Sequence, residues 1–121
     1  MIYTNDQFTG IALLFEKENG RNHSDFENKW VTEICKELKT DNTLELETNI
    51  IRMINSSLLI KENQRIRAYW ALGKRFNLKL IPFFQKCLKK ELVNHKLGAC
   101  FEIMISLSNM GEEVFSKNSR S

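Results

Sequence analysis

Apolar residues along this chain recur every three or four positions with polar residues between them, which is the period of an α-helix. Thr4 and Gln7 open the first such segment at capping-box spacing, and Phe8, Ile11, Ala12 and Phe15 then share one face up to Glu18. Gly10 is the residue that suits this helix least. Ser24 and Glu27 repeat the capping-box spacing after a loop over residues 19–23. Phe26, Trp30, Ile34 and Leu38 follow at intervals of four, with Val31 and Cys35 beside them, and predict an amphipathic helix over residues 24–39 with these side chains inward. Residues 40–43 break the pattern.

A third helix is expected from Leu44 to Ile60, its stripe made by Leu46, Ile50, Met53 and Ile54 and thickened by Ile51, Leu58 and Leu59. Residues 61–63 form a turn, and Gln64 to Phe76 a fourth helix. After a link at 77–79, the fifth runs from Leu80 to Leu92 with the lone Pro82 in its first turn, where a missing N–H costs nothing. Lys96 to Met110 is the sixth, with Leu97, Cys100, Phe101, Met104 and Leu107 inward and Gly111 as its C-cap. Residues 112–117 are expected to add one short helix and residues 118–121 to fray. The expected fold is all-α: one domain over residues 1–121, with six or seven helices whose short links make consecutive helices antiparallel neighbours.

Composition narrows this further. A chain of 121 residues holds one modest core. Five glycines and one proline are too few for an all-β chain with many tight turns. No apolar run reaches the roughly 18 residues of a membrane helix, and the first residues lack the basic segment and cleavage site of a signal peptide. Cys35, Cys87 and Cys100 are widely spaced, without a CxxC pair, so neither a zinc site nor a disulfide framework is expected, and each reads as a small core hydrophobe. A reducing cytoplasm is the expected compartment. The sequons at Asn22 and Asn55 then read as chance.

Two segments echo each other: ALGKRFNLKLIPFF, from Ala71, and SLSNMGEEVF, from Ser106, with Leu72 and Leu107 offset by 35 positions. The run IPFFQKCLKK from Ile81, followed by the apolar helix around Leu97 to Leu107, resembles a HEAT-like repeat: two antiparallel helices, often with a proline early in the first and an Ala-Leu-x-x-Leu-Gly ending to the second. Ala71-Leu72-Gly73 and Leu107 to Gly111 echo that ending, although no Asp-Pro turn is present and Gly73 follows Leu72 directly. The resemblance covers about residues 64–115 and implies a short right-handed α-solenoid; a non-repetitive helical bundle is the alternative.

No catalytic signature is present: no phosphate-binding glycine loop, no HExxH, no GxSxG. His23 and His95 read as solvated loop residues, and neither has a metal-ligand neighbour at the needed spacing. A non-enzyme without cofactor or metal is expected. Charge is divided unevenly. Residues 1–62 carry seven Lys/Arg and eleven Asp/Glu, net −4, and residues 63–121 carry eleven and four, net +7. Glu33, Glu37, Asp41, Glu45 and Glu47 gather around one turn and are the candidate docking patch for a basic protein. The expectation is therefore a non-catalytic protein-binding module. A small chain of this kind is similar to bacterial immunity proteins, which implies neutralisation of a toxin domain, such as a nuclease, by blocking its active site. No membrane and no small-molecule substrate are expected. The alternative is a nucleic-acid-binding module using Arg67, Lys74, Arg75, Lys86, Lys89 and Lys90.

Overall fold

A computed structural model describes residues 2–114. The chain forms helices α1 (Asn5–Glu18), α2 (Asp25–Leu38), α3 (Thr43–Asn55), α4 (Glu62–Gly73), a 3-10 turn (Leu78–Leu80), α5 (Ile81–Val93) and α6 (Leu97–Asn109), and no strand among the described residues. The all-α class is as expected. The short seventh helix and the frayed tail expected over 112–121 fall largely outside the described residues; residues 112–114 are not helical.

The predicted caps carry the helix starts. Thr4 and Ser24 each accept the N–H three residues on, while Gln7 and Glu27 reach back to the Thr4 and Ser24 N–H groups. Lys61 N–H donates to Gln64 Oε1 in the same way, and α4 accordingly begins two residues earlier than the apolar pattern suggests. Pro82 occupies the first turn of α5.

The helix ends share one device. In α1, α2, α3, α5 and α6 the chain closes with paired bonds of the Schellman type. At the end of α3, Leu58 N–H donates to Met53 O and Ser57 N–H to Ile54 O, with Ser57 at φ 57°. That cap stops α3 at Asn55, five residues short of the predicted end: Leu59 turns back into the core, while Leu58 and Ile60 stay at the surface. At these five caps the left-handed position is glycine only twice, at Gly20 and Gly111; Lys39, Ser57 and His95 fill the others, and Phe76, after α4, is a sixth left-handed residue.

Three helices run side by side in one direction. Asn19 Nδ2, just past the end of α1, donates to the carbonyls of Lys74 and Arg75 just past the end of α4, while Arg67 of α4 reaches Thr9 of α1. Glu62 at the start of α4 accepts from Ala99 N–H at the start of α6 at 3.0 Å, and Gly73 at its end meets Ser106. α2 lies against α1, α3 against α4 and α1, and α5 against α6. The core lies along this row, where Phe8, Phe15, Leu46, Ile50, Tyr69, Leu72, Phe84 and Ile103 are fully buried. Each such side chain is worth about 1.5–3 kcal/mol of hydrophobic stabilisation.

Gly10 is where α1 and α2 come closest. A Cβ there would lie 2.5 Å from Ile34 Cγ1 and 2.7 Å from Ile34 Cβ, so the glycine that seemed unfavourable is required by the crossing. Two predicted inward faces are rotated. In α2, Val31 and Ile34 are buried but Phe26 is 70 % exposed; in α6, Ala99, Cys100, Ile103 and Leu107 point inward and Leu97 is 69 % exposed. Phe101, also expected inside, lies outside as well. Both segments have apolar residues on more than one face, so sequence periodicity alone leaves the buried face ambiguous.

Candidate functional site

The division of charge along the chain is partly cancelled by the fold. Because α1 and α4 lie side by side, Arg75 is held between Glu18 and Glu47, its Nε 2.9 Å from Glu47 Oε1, and Lys74 Nζ lies 3.7 Å from Glu16. Glu47 is 6 % exposed and also accepts from Asn77 Nδ2 at 3.1 Å. It is thus a buried tie between α3 and the end of α4, unlike the other four acidic candidates.

Glu33, Glu37, Asp41 and Glu45 are exposed around the end of α2 and the start of α3, and none forms an ion pair among the described residues. Glu37 accepts from Gln7 Nε2 at 3.0 Å and Glu45 from the Thr40 hydroxyl at 2.9 Å, so two of the four carboxylates are held in fixed places. Next to them is a feature that sequence reasoning missed. Phe26, Trp30, Glu33 and Glu37 are spaced four, three and four, which sets them along one edge of α2. Phe26 and Trp30 meet edge to face at 5.9 Å between ring centroids. α2 packs on α1 alone; along this edge Phe26, Glu33 and Glu37 are exposed and Trp30 is partly buried. The signal in the sequence is the Phe26–Trp30 spacing, which is indistinguishable from a core stripe because Ile34 and Leu38 continue the same interval of four.

The basic candidates separate into two groups. Arg67 bonds Thr9 and lies 4.2 Å over the Trp70 ring, with its Nε buried and lacking a hydrogen-bond partner. With Lys74 and Arg75 also paired, these three serve the packing of α4 on α1. Lys86, Lys89 and Lys90 stand exposed on α5.

Between the end of α3, the 56–61 segment, α4 and α5 lies a groove of about 590 Å³. Its floor is a buried polar network. Glu91, 3 % exposed, accepts from Arg65 Nε at 2.7 Å, Arg65 Nη2 at 3.1 Å and the Tyr69 hydroxyl at 2.8 Å. Arg65 Nη1 also donates to the carbonyls of Leu59 and Ile60. The bond to Glu91 keeps the guanidinium charged, and burial first, with Glu91 beside it, pushes the Tyr69 phenol far up. Burial likewise raises the thiols of Cys87, Cys100 and Cys35, which suits inert core sulfur better than a nucleophile.

His23 is not the solvated residue the sequence suggests. Its side chain is fully buried, with Nε2 2.8 Å from Leu13 O, so that nitrogen carries the proton; Nδ1 lies 3.6 Å from Glu27. His95 is exposed and caps α5 at φ 57°. Among the described residues no group of three His, Cys, Asp or Glu side chains is placed to hold a metal ion, and no helix is long and apolar enough to cross a membrane. Comparison with models of protein families, with curated proteins and with solved structures finds no match to this chain.

Proposed function

We propose that this chain is a non-catalytic protein-binding module whose docking surface is the free edge of α2 and the turn that follows it. The observation that carries the reading is the stripe of Phe26, Trp30, Glu33 and Glu37 on a helix that touches only α1. Aromatic side chains supply the buried anchors of interfaces, and neighbouring charges supply on-rate and partner choice. Asp41, Leu44 and Glu45 extend the surface past the end of α2, while Glu47, spent on Arg75, drops out. The partner is a protein with a basic rim around an apolar pocket. A toxin domain neutralised in the manner of immunity proteins is the narrowest form of the proposal. The HEAT-like arrangement of residues 64–115 belongs to the same reading, supported by α4 and α6 lying in parallel with α5 packed on α6.

Charge reversal by Glu37→Lys with Asp41→Lys should slow association with the captured partner about tenfold at low salt. An unchanged on-rate would remove this surface from consideration. A second reading, nucleic-acid binding, rests on Lys86, Lys89 and Lys90 standing free on α5. It requires affinity for mixed RNA or DNA that falls steeply with salt.

A further inference from the structure

The groove between α3, α4 and α5 has a chemistry that the docking surface does not use. We infer that it binds a small amphiphilic anion, an organic carboxylate with an apolar body. Its volume of about 590 Å³ falls in the range of small-molecule sites. Ile54 and Leu59, both buried, close its base, and Ile60, 82 % exposed, supplies the apolar surface at its edge.

Charge decides the polarity of the ligand. The one carboxylate of the lining, Glu91, is already matched by the bidentate Arg65 and by the Tyr69 hydroxyl. Lys86, Lys90 and Lys96 also line the groove, and among the described residues none lies in an ion pair. Lys86 and Lys90 are one helical turn apart on α5, so both project to the same side. Three unmatched ammonium groups at the open edge of an apolar crevice favour an anionic head at the mouth and an apolar body against that apolar surface. A cation would meet this field with no free acceptor carboxylate to receive it. The fixed floor adds to the argument: Arg65 spends four hydrogen bonds on Glu91, Leu59 O and Ile60 O, which holds the 56–61 segment open against α5 in place before any ligand arrives.

The groove lies on α3, α4 and α5 and the proposed protein-docking surface on α2, so each proposal can fail without the other. The test is calorimetric titration of the full chain with sodium decanoate below its micelle-forming concentration, with decyltrimethylammonium, decanol and inorganic phosphate as separate arms. Decanoate should bind one to one, and each of the other three should bind at least about tenfold more weakly. Lys86→Gln with Lys90→Gln, both exposed positions, should weaken decanoate about tenfold while leaving the thermal midpoint unchanged. Backbone NMR shifts on adding decanoate should centre on residues 57–60 and 86–90. Absence of decanoate binding, equal binding of the cation or the alcohol, or full retention in the double variant would overturn the assignment.

Discussion

Arg65 grips both carboxylate oxygens of Glu91 across 26 positions of sequence, at 2.7 and 3.1 Å, and Tyr69 completes the carboxylate from a third direction. The pair ties α4 to α5, two helices whose backbones do not otherwise pack together. A buried charge that loses its partner is left uncompensated, so Glu91→Ala should cost about 3–5 kcal/mol in urea denaturation. Arg65→Met combined with Glu91→Leu should cost less than that single change, because it removes both charges together. The recovery should be partial, since the Leu59 and Ile60 carbonyls also lose their donor.

Gly10→Ala should destabilise by about 1–3 kcal/mol, because its new methyl overlaps Ile34 at the closest approach of α1 and α2. Gly20→Ala is the control. Its methyl meets nothing within 4 Å, and its cost of about 1 kcal/mol is backbone strain alone at φ 94°. Thermal melts of the two variants should rank Gly10→Ala below Gly20→Ala; the reverse order would contradict the packing of α2 on α1.

Lys39, Ser57 and His95 adopt left-handed backbone where glycine is at ease. That conformation costs an L-residue about 1–2 kcal/mol, partly offset by the extra chain entropy glycine loses on folding. Each of Lys39→Gly, Ser57→Gly and His95→Gly should therefore raise stability by up to about 1 kcal/mol. Asn55→Gly, inside the last turn of α3, should lower it. Chemical denaturation of the four variants checks the signs.

Burial raises the Glu102 carboxyl above its ordinary value, and Lys74 and Arg67 counter it only in part. A carboxyl raised in the folded state binds its proton more tightly there than in the unfolded chain. Its contribution is therefore favourable at low pH and is lost as pH rises through the folded value. Stability of the parent relative to Glu102→Gln should rise as pH falls from 7 through the ordinary carboxylate range. Parallel melts of the two proteins across that range give the difference directly, and a difference that does not change with pH would contradict it.

Much of the helical plan could be read from the chain. The Thr4–Gln7 and Ser24–Glu27 pairs are local chemistry, and they fix the starts of α1 and α2 within one residue. Pro82 fixes the start of α5 in the same way. The end of α3 was hidden, because a Schellman cap at Ser57 carries no glycine to announce it. Which helices become neighbours was also hidden. The α1–α4 contact brings Glu18 to Arg75 across 57 positions and Glu16 to Lys74, and the α3–α4 contact brings Glu47 to Arg75; only these contacts show that Glu47, Lys74 and Arg75 are paired within the molecule. Of the candidate docking residues, Glu33, Glu37, Asp41 and Glu45 stand exposed as a patch needs. Phe26 lies outside and Trp30 only partly inside, because an interval of four fits a helix edge as well as a core stripe.

The most direct test of the docking proposal is a paired capture from the native host. The full chain and its Phe26→Asp, Glu37→Lys variant, both exposed positions, are immobilised side by side, and bound proteins and nucleic acids are quantified at low and high salt. The account predicts a basic protein retained in a one-to-one ratio by the parent, released by salt and lost from the variant. Recovery of RNA or DNA alone, or equal retention of the same protein on both, would contradict it.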